Sequence, residues 1–436
     1  MGIILLLVLI SFLVKKNYNL ALGIYIVSVF GIPRNTHIEK MIGMGIDIKG
    51  NIFLDFRFVM ISIMFIYMLF RLNKYVLKIK IPNLIIVLLF LCIFSIALIQ
   101  GVLNHNPLIK SELVLYIQLF MTIVTIGLWI NMFKIHILNI LRMYIFGGAL
   151  YSIIAIFLAI FGKGFLPSIY GEFYGTIWGD TGRVTFQNVT ALFVISFFSI
   201  YIIFKTENKK NMLCALALNN IAILLSQTRS IIMLYYGCLF IIVCIIVIKV
   251  MFTKRLNLKV LASLFLGSAV ILSVSIICFQ KINIMETSFL ADVSKRFNES
   301  GTESIDSRVY TNQYIIDSME SPILGNGIGY PLKFFSASGS VVSEVSWIDN
   351  LLLSIYSKFG IIGAIALVVL MIYGLIINIK KTMDTKEVYF LIVSLVYIPF
   401  IVICAFLTSQ LIHSIQVSLL YFIILLIPNI HSENEW

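Results

Sequence analysis

Apolar residues in this chain do not alternate with polar ones. They run in unbroken blocks separated by short polar tracts: 2–14, 20–33, 52–70, 84–100, 113–130, 138–161, a seventh block ending at Phe204, then 212–225, 231–251 and 260–279. The last three begin near Leu351, at 388 and at 411. Most have the ~17–25 residues with which a helix crosses a bilayer. Apolar runs of that length argue buried or membrane helix rather than strand. The pattern predicts an all-α fold: one polytopic membrane domain over 1–436, with about 12–13 transmembrane helices. The first block has neither a basic start nor a small-residue cleavage site, so it reads as a span rather than a removed signal peptide.

Charge gives these blocks a direction. Lys and Arg cluster at 15–16, 71–80, 134–142, 205–210, 254–259 and 380–386. With alternating spans, all six tracts fall on one face. The polar loops 34–51, 101–111, 162–188, 228–230 and 280–350 fall on the other. The positive-inside rule then predicts an outer N-terminus, a cytoplasmic C-terminus and large outer loops. The same rule explains the net charge of +12 and removes the case for a nucleic-acid partner. With 60% hydrophobic and 12% charged residues, a soluble globular chain is excluded. All six cysteines lie within apolar blocks and the five histidines are scattered, so no metal site or cofactor is expected. No internal repeat is visible, which weighs against the repeat-built transporter folds.

Chemistry concentrates in the loops. At the edge of the third block stand Asp55 and Arg57, either paired there or facing a cavity. On the predicted outer face lie Arg183, Arg229 and Arg308. Their planar guanidinium forks suit phosphate, although each can equally pair with a nearby carboxylate. The loop 280–350 is too long to be a mere connection. Within it, Ile305, Val309, Ile316 and Met319 are spaced as one face of a short amphipathic helix able to lie on the membrane and hold Arg308 at headgroup depth, and Pro322 bars the helix from running on. Gly325-Asn326-Gly327-Ile328-Gly329 lacks the dinucleotide spacing and is either an oxyanion-cupping backbone nest or a bare turn. Asp349-Asn350, just after Trp347, stands where the loop runs into the next block. Asp349 there is either a partly desolvated general base or a helix cap.

In order, these residues resemble the bacterial O-antigen ligase and oligosaccharide repeat-unit polymerase (Wzy-type) family. The likeness is carried by Arg308, then Pro322, Gly325 and Gly327, then Asp349-Asn350 before Lys358-Phe359-Gly360-Ile361-Ile362-Gly363. Upstream, Arg183 with Phe186-Gln187-Asn188 and the turn Thr228-Arg229-Ser230 extend it, so that it covers roughly 175–365. The resemblance implies a metal-independent glycosyltransferase acting on undecaprenyl-diphosphate-linked oligosaccharides outside the cytoplasmic membrane, in capsule, O-antigen or exopolysaccharide synthesis. It further implies lipid-linked donor and acceptor, membrane lipids, a flippase and a chain-length regulator as partners. Carried over, Arg183, Arg229 and Arg308 bind diphosphate and Asp349 deprotonates the acceptor. Asn188, Gly325, Gly327, Trp347 and Asn350 contact substrate, with Tyr170, Trp178 and Tyr330 either stacking on sugars or marking the interfacial belt. Ligases of the family carry His-Asn where this chain has Asp349-Asn350, which favours repeat-unit polymerase over ligase. A flippase for the same lipid-linked sugars is the remaining alternative.

Overall fold

Inside a bilayer every backbone N–H and C=O must be satisfied within its own segment or its neighbours, and the apolar blocks accordingly fold as helices. The structure, a computed structural model, describes residues 1–48, 52–74, 81–162, 184–205, 209–253, 301–336, 338–385 and 388–430. In chain order these form α1 (Gly2–Val14), α2 (Tyr18–Gly31), α3 (Thr36–Met41), a hairpin of β1 (Gly45–Ile48) and β2 (Ile52–Asp55), and α4 (Phe56–Leu69). There follow α5 (Ile81–Leu103), α6 (Ile109–Phe133), α7 (Ile137–Phe161), α8 (Asn188–Lys205), α9 (Lys209–Leu225) and α10 (Arg229–Thr253). The remainder comprises α11 (Gly301–Asp317), a hairpin of β3 (Leu332–Phe335) and β4 (Val341–Val345), α12 (Leu351–Thr385), α13 (Val388–Val402), a π-helical turn Ile403–Leu407, α14 (Gln410–His413) and α15 (Ile415–Ile430). Four stretches, Ile109–Phe133, Ile137–Phe161, Leu351–Asp384 and Tyr389–Leu407, are long and apolar enough to cross a membrane, with shorter apolar helices beside them. The chain is a mostly helical, polytopic membrane protein. The block at 260–279 lies outside the described residues.

The third apolar block departs from expectation. Its first residues form β2, paired antiparallel with β1 from Gly45↔Asp55 to Ile48↔Ile52, and the helix starts only at Phe56. Arg57 is buried in the first turn of that helix.

Contacts divide the chain into two compact units. One comprises Met1–Asp55, Ile137–Glu299 and Lys386–Phe400. Here α7 packs on α2, α8 and α9. Small residues let these helices approach closely. A Cβ on Gly147 would stand 2.8 Å from Phe30 Cβ on α2, and one on Gly148 would stand 2.9 Å from Ile195 Cγ2 on α8. Between α7 and α9, Ser152 Oγ donates to Asn219 Oδ1 at 2.9 Å. Buried tyrosines and phenylalanines fill the rest, among them Tyr201 and Tyr389 with ring centroids 5.2 Å apart.

The other unit comprises Phe56–His136, Ser300–Thr385 and Ile401–Trp436. Within it α6 packs on α4 and α15, and α12 packs on α5 and α15. Above these helices α11 lies on β3, joined by a small core of Ile315, Leu332 and Ile348 with Tyr314, Tyr330, Val345 and Leu353 around it. Val309 and Ile316 are exposed, on the same side as Asp306, Gln313 and Asp317, and the helix docks through Thr311 and Ile315. Ser307 Oγ donates to the Phe335 carbonyl, and Thr311 Oγ1 accepts from Phe335 N–H at 3.1 Å.

Candidate functional site

Helix α12 is two helices in series. Gly360 adopts φ 65° and ψ −167°, a backbone conformation open in practice to glycine alone. A side chain is also excluded by space, since a Cβ there would stand 2.1 Å from the Ile323 carbonyl oxygen. Such a break strands backbone groups, and the glycine loop before β3 satisfies them. Asn326 N–H donates to Ser357 C=O at 2.7 Å, Gly327 N–H to Lys358 C=O at 3.1 Å, and Ile361 N–H to Pro322 C=O at 2.9 Å. Gly325, at φ 85°, sits so close that a Cβ would stand 2.4 Å from the Lys358 carbonyl.

This corrects the expectation for Gly325 and Gly327. The Gly325 N–H donates to Ser321 C=O and the Gly327 N–H to Lys358 C=O, so both are engaged inside the protein and neither is held out to an external oxyanion. The loop does hold an anion at Gly329, whose N–H donates to Glu112 Oε2 at 3.0 Å.

The first half-helix, 351–359, begins at a cleft. Its cap is Asn350, whose Oδ1 accepts from Leu353 N–H at 3.2 Å, while Ser354 Oγ accepts from Ile348 N–H at 3.2 Å. The neighbouring carboxylate is thereby spared the capping role. Asp349 Oδ2 instead accepts from Arg308 Nη2 at 3.0 Å and Nε at 3.2 Å. Both side chains remain accessible, at 41% and 48% exposure. Around the pair, Thr311, Asn312, Phe334, Ile348, Asn350 and Phe406 line an open cleft. Apolar walls, two amides, one guanidinium and one carboxylate make a site fit for a polar, phosphate-bearing ligand with hydroxyl groups.

Two turns along the half-helix, a second ion pair was not anticipated. The Lys358 ammonium donates to Glu112 Oε1 and to the Ser346 carbonyl, and lies 4.5 Å from the centre of the Trp347 ring. Both charged side chains are buried. Trp347 lies near-parallel to His413, at 18° with centroids 6.1 Å apart. Two opposite charges, each set in an apolar helix, were the available sequence signal for this pair.

Asn188 and Arg229 belong to the first unit. Asn188 is buried, its Nδ2 donating to Phe30 C=O at 2.9 Å and Ile32 C=O at 3.5 Å, so it ties α8 to the end of α2 rather than facing a substrate. Arg229 is the first residue of α10, after a turn in which Gln227 takes φ 48° and Thr228 N–H donates to Ser226 Oγ. Val184 N–H donates to Leu225 C=O at 3.2 Å, which fixes the chain beside that turn. Arg183, Tyr170 and Trp178 lie outside the described residues. Among the described residues no cluster of His, Cys, Asp or Glu has the arrangement of a metal site.

The family model of the O-antigen ligases (Wzy_C) matches residues 212–368, which span Arg229, the cleft with Arg308 and Asp349, the glycine loop and the broken half of α12. The chain carries an O-antigen ligase family domain. Members of the Wzy_C family are glycan-transferring membrane enzymes, and the match covers about a third of this chain. No curated protein and no solved structure matches the chain.

Proposed function

We propose that the protein polymerises oligosaccharide repeat units carried on undecaprenyl diphosphate, by inverting glycosyl transfer outside the cytoplasmic membrane. The observation that carries this reading is the accessible pair of Arg308 and Asp349, both within the stretch that matches the family and both lining a cleft. One group suits a departing diphosphate and the other suits an attacking hydroxyl. In the resting protein they hold each other. An incoming donor diphosphate competes with Asp349 for the guanidinium and so releases the carboxylate to the acceptor. The acceptor hydroxyl oxygen then bonds to the anomeric carbon of the donor sugar, its proton passes to Asp349, and the bond to the lipid diphosphate breaks. Arg308 stabilises the charge that gathers on the leaving group. Aspartate at 349, in place of the histidine that the resemblance assigns to ligases, favours growth of a lipid-linked chain over transfer to a different acceptor.

The test is direct. Purified protein in lipid is given undecaprenyl-diphosphate repeat units and the products are resolved by size. A ladder of lipid-linked multimers is expected. Arg308→Ala should lower turnover by about 10²–10³-fold, and Asp349→Asn by about 10²–10⁴-fold. Transfer only to a non-identical acceptor would make the protein a ligase. Movement of substrate between leaflets with no covalent product would end the enzyme reading.

A further inference from the structure

The buried pair of Glu112 and Lys358 has no evident route to a substrate, since both side chains are shut away from solvent. Nor does stability explain it well. Buried ion pairs commonly gain little over apolar residues of the same size, because desolvation offsets their attraction. What the pair does have is an unusual set of attachments. One oxygen of Glu112 receives Lys358, and the other receives the Gly329 N–H. The ammonium then reaches the Ser346 carbonyl and the face of Trp347, two residues before Asp349.

We infer that Glu112 and Lys358 act as a positioning device for the cleft, pinning segment 346–350 to the start of α6 so that the Asp349 carboxylate meets Arg308. The inference rests on the reading of Arg308 and Asp349 as the reacting groups. Each residue of the segment except Asp349 has a structural anchor. The Ser346 carbonyl and the Trp347 ring are held by Lys358, the Ile348 N–H by Ser354 Oγ, and Asn350 by its cap on α12. Asp349 lines the cleft together with Ile348 and Asn350, but its carboxylate is held by Arg308 rather than by an anchor of this kind. An ammonium offers three donors, and its surroundings here occupy them on three sides, so its place is closely defined. Glu112, fixed by Gly329 and carried on the first turn of a long membrane helix, supplies the reference point. Displacing a reacting carboxylate by about 1 Å is enough to lower turnover roughly 10²-fold. Lys358 and Glu112 are thus positioning residues, acting through Asp349.

The experiment compares the full-length protein in lipid with Lys358→Met/Glu112→Gln, which removes both charges and strands neither. Steady-state turnover is read together with deuterium uptake over 346–353. The expected result is a kcat at least ~10-fold lower with donor KM within ~3-fold, and faster uptake confined to that segment. Parental kcat, or unchanged uptake in the segment, overturns the proposal. If the double variant is not obtained folded, Ser354→Ala decides, because it loosens Ile348 without touching a charge. A lower kcat at constant KM then supports the pin, and parental kcat overturns it. Turnover that survives in Arg308→Ala and Asp349→Asn would sink the reading of the cleft instead, while the uptake measurement still judges the pin.

Discussion

Two ion pairs stand at the two ends of one short helix and differ in almost everything but charge. Arg308 and Asp349 lie open at the start of segment 351–359, their contact made through a single carboxylate oxygen. Glu112 and Lys358 lie sealed at its end, with further bonds to backbone on both sides. Water competes for the first pair and screens it, so it separates readily when another anion arrives. The second has no such competitor, and removing one partner leaves an uncompensated charge in an apolar site. Groups that must change partners during a reaction are kept in water, and groups that must not are kept out of it.

That contrast predicts a graded set of effects on thermal unfolding in detergent or lipid. Lys358→Met alone should be the most damaging, lowering stability by about 3–5 kcal/mol because Glu112 is stranded. Adding Glu112→Gln should recover much of the loss, and a double variant as unstable as the single would break the comparison. Gly360→Ala comes next, at roughly 1–3 kcal/mol from its positive φ alone, with the close Ile323 carbonyl adding to it. Asp349→Asn should come last, within about 1 kcal/mol of the parent, as for exposed pairs generally. Its turnover is expected to collapse all the same. A large stability loss in Asp349→Asn would show that the open pair is structural after all.

Much of this architecture was legible in the chain. Helix α1 has the bounds of its apolar block, and α7 and α12 start within a residue of theirs, because uninterrupted apolar sequence leaves a backbone little choice but helix. What escaped was everything that depends on a partner far along the chain. Ile52–Asp55 reads as the start of a helix until β1 is laid beside it. Gly325 and Gly327 look like a phosphate nest until the broken end of a helix takes up their loop's N–H groups. Glu112 and Lys358 are separated by most of the molecule's sequence, and no local pattern links them. Arg308 and Asp349, by contrast, were singled out from their residue types and place in the loop, although nothing in the sequence named them as each other's partner.

The break at Gly360 also bears on how the chain enters a membrane during synthesis. The apolar stretch 361–379 alone is about 28 Å long as helix, close to the ~30 Å of the hydrocarbon layer. An insertion machinery can therefore accept that stretch as a complete span and leave 351–359 outside the lipid. Lys358 would then never have to be threaded into hydrocarbon as a lone cation. It could stay with its loop until Glu112, made earlier and already in place, receives it, so that closing the pair becomes a late step of assembly rather than an obstacle to insertion.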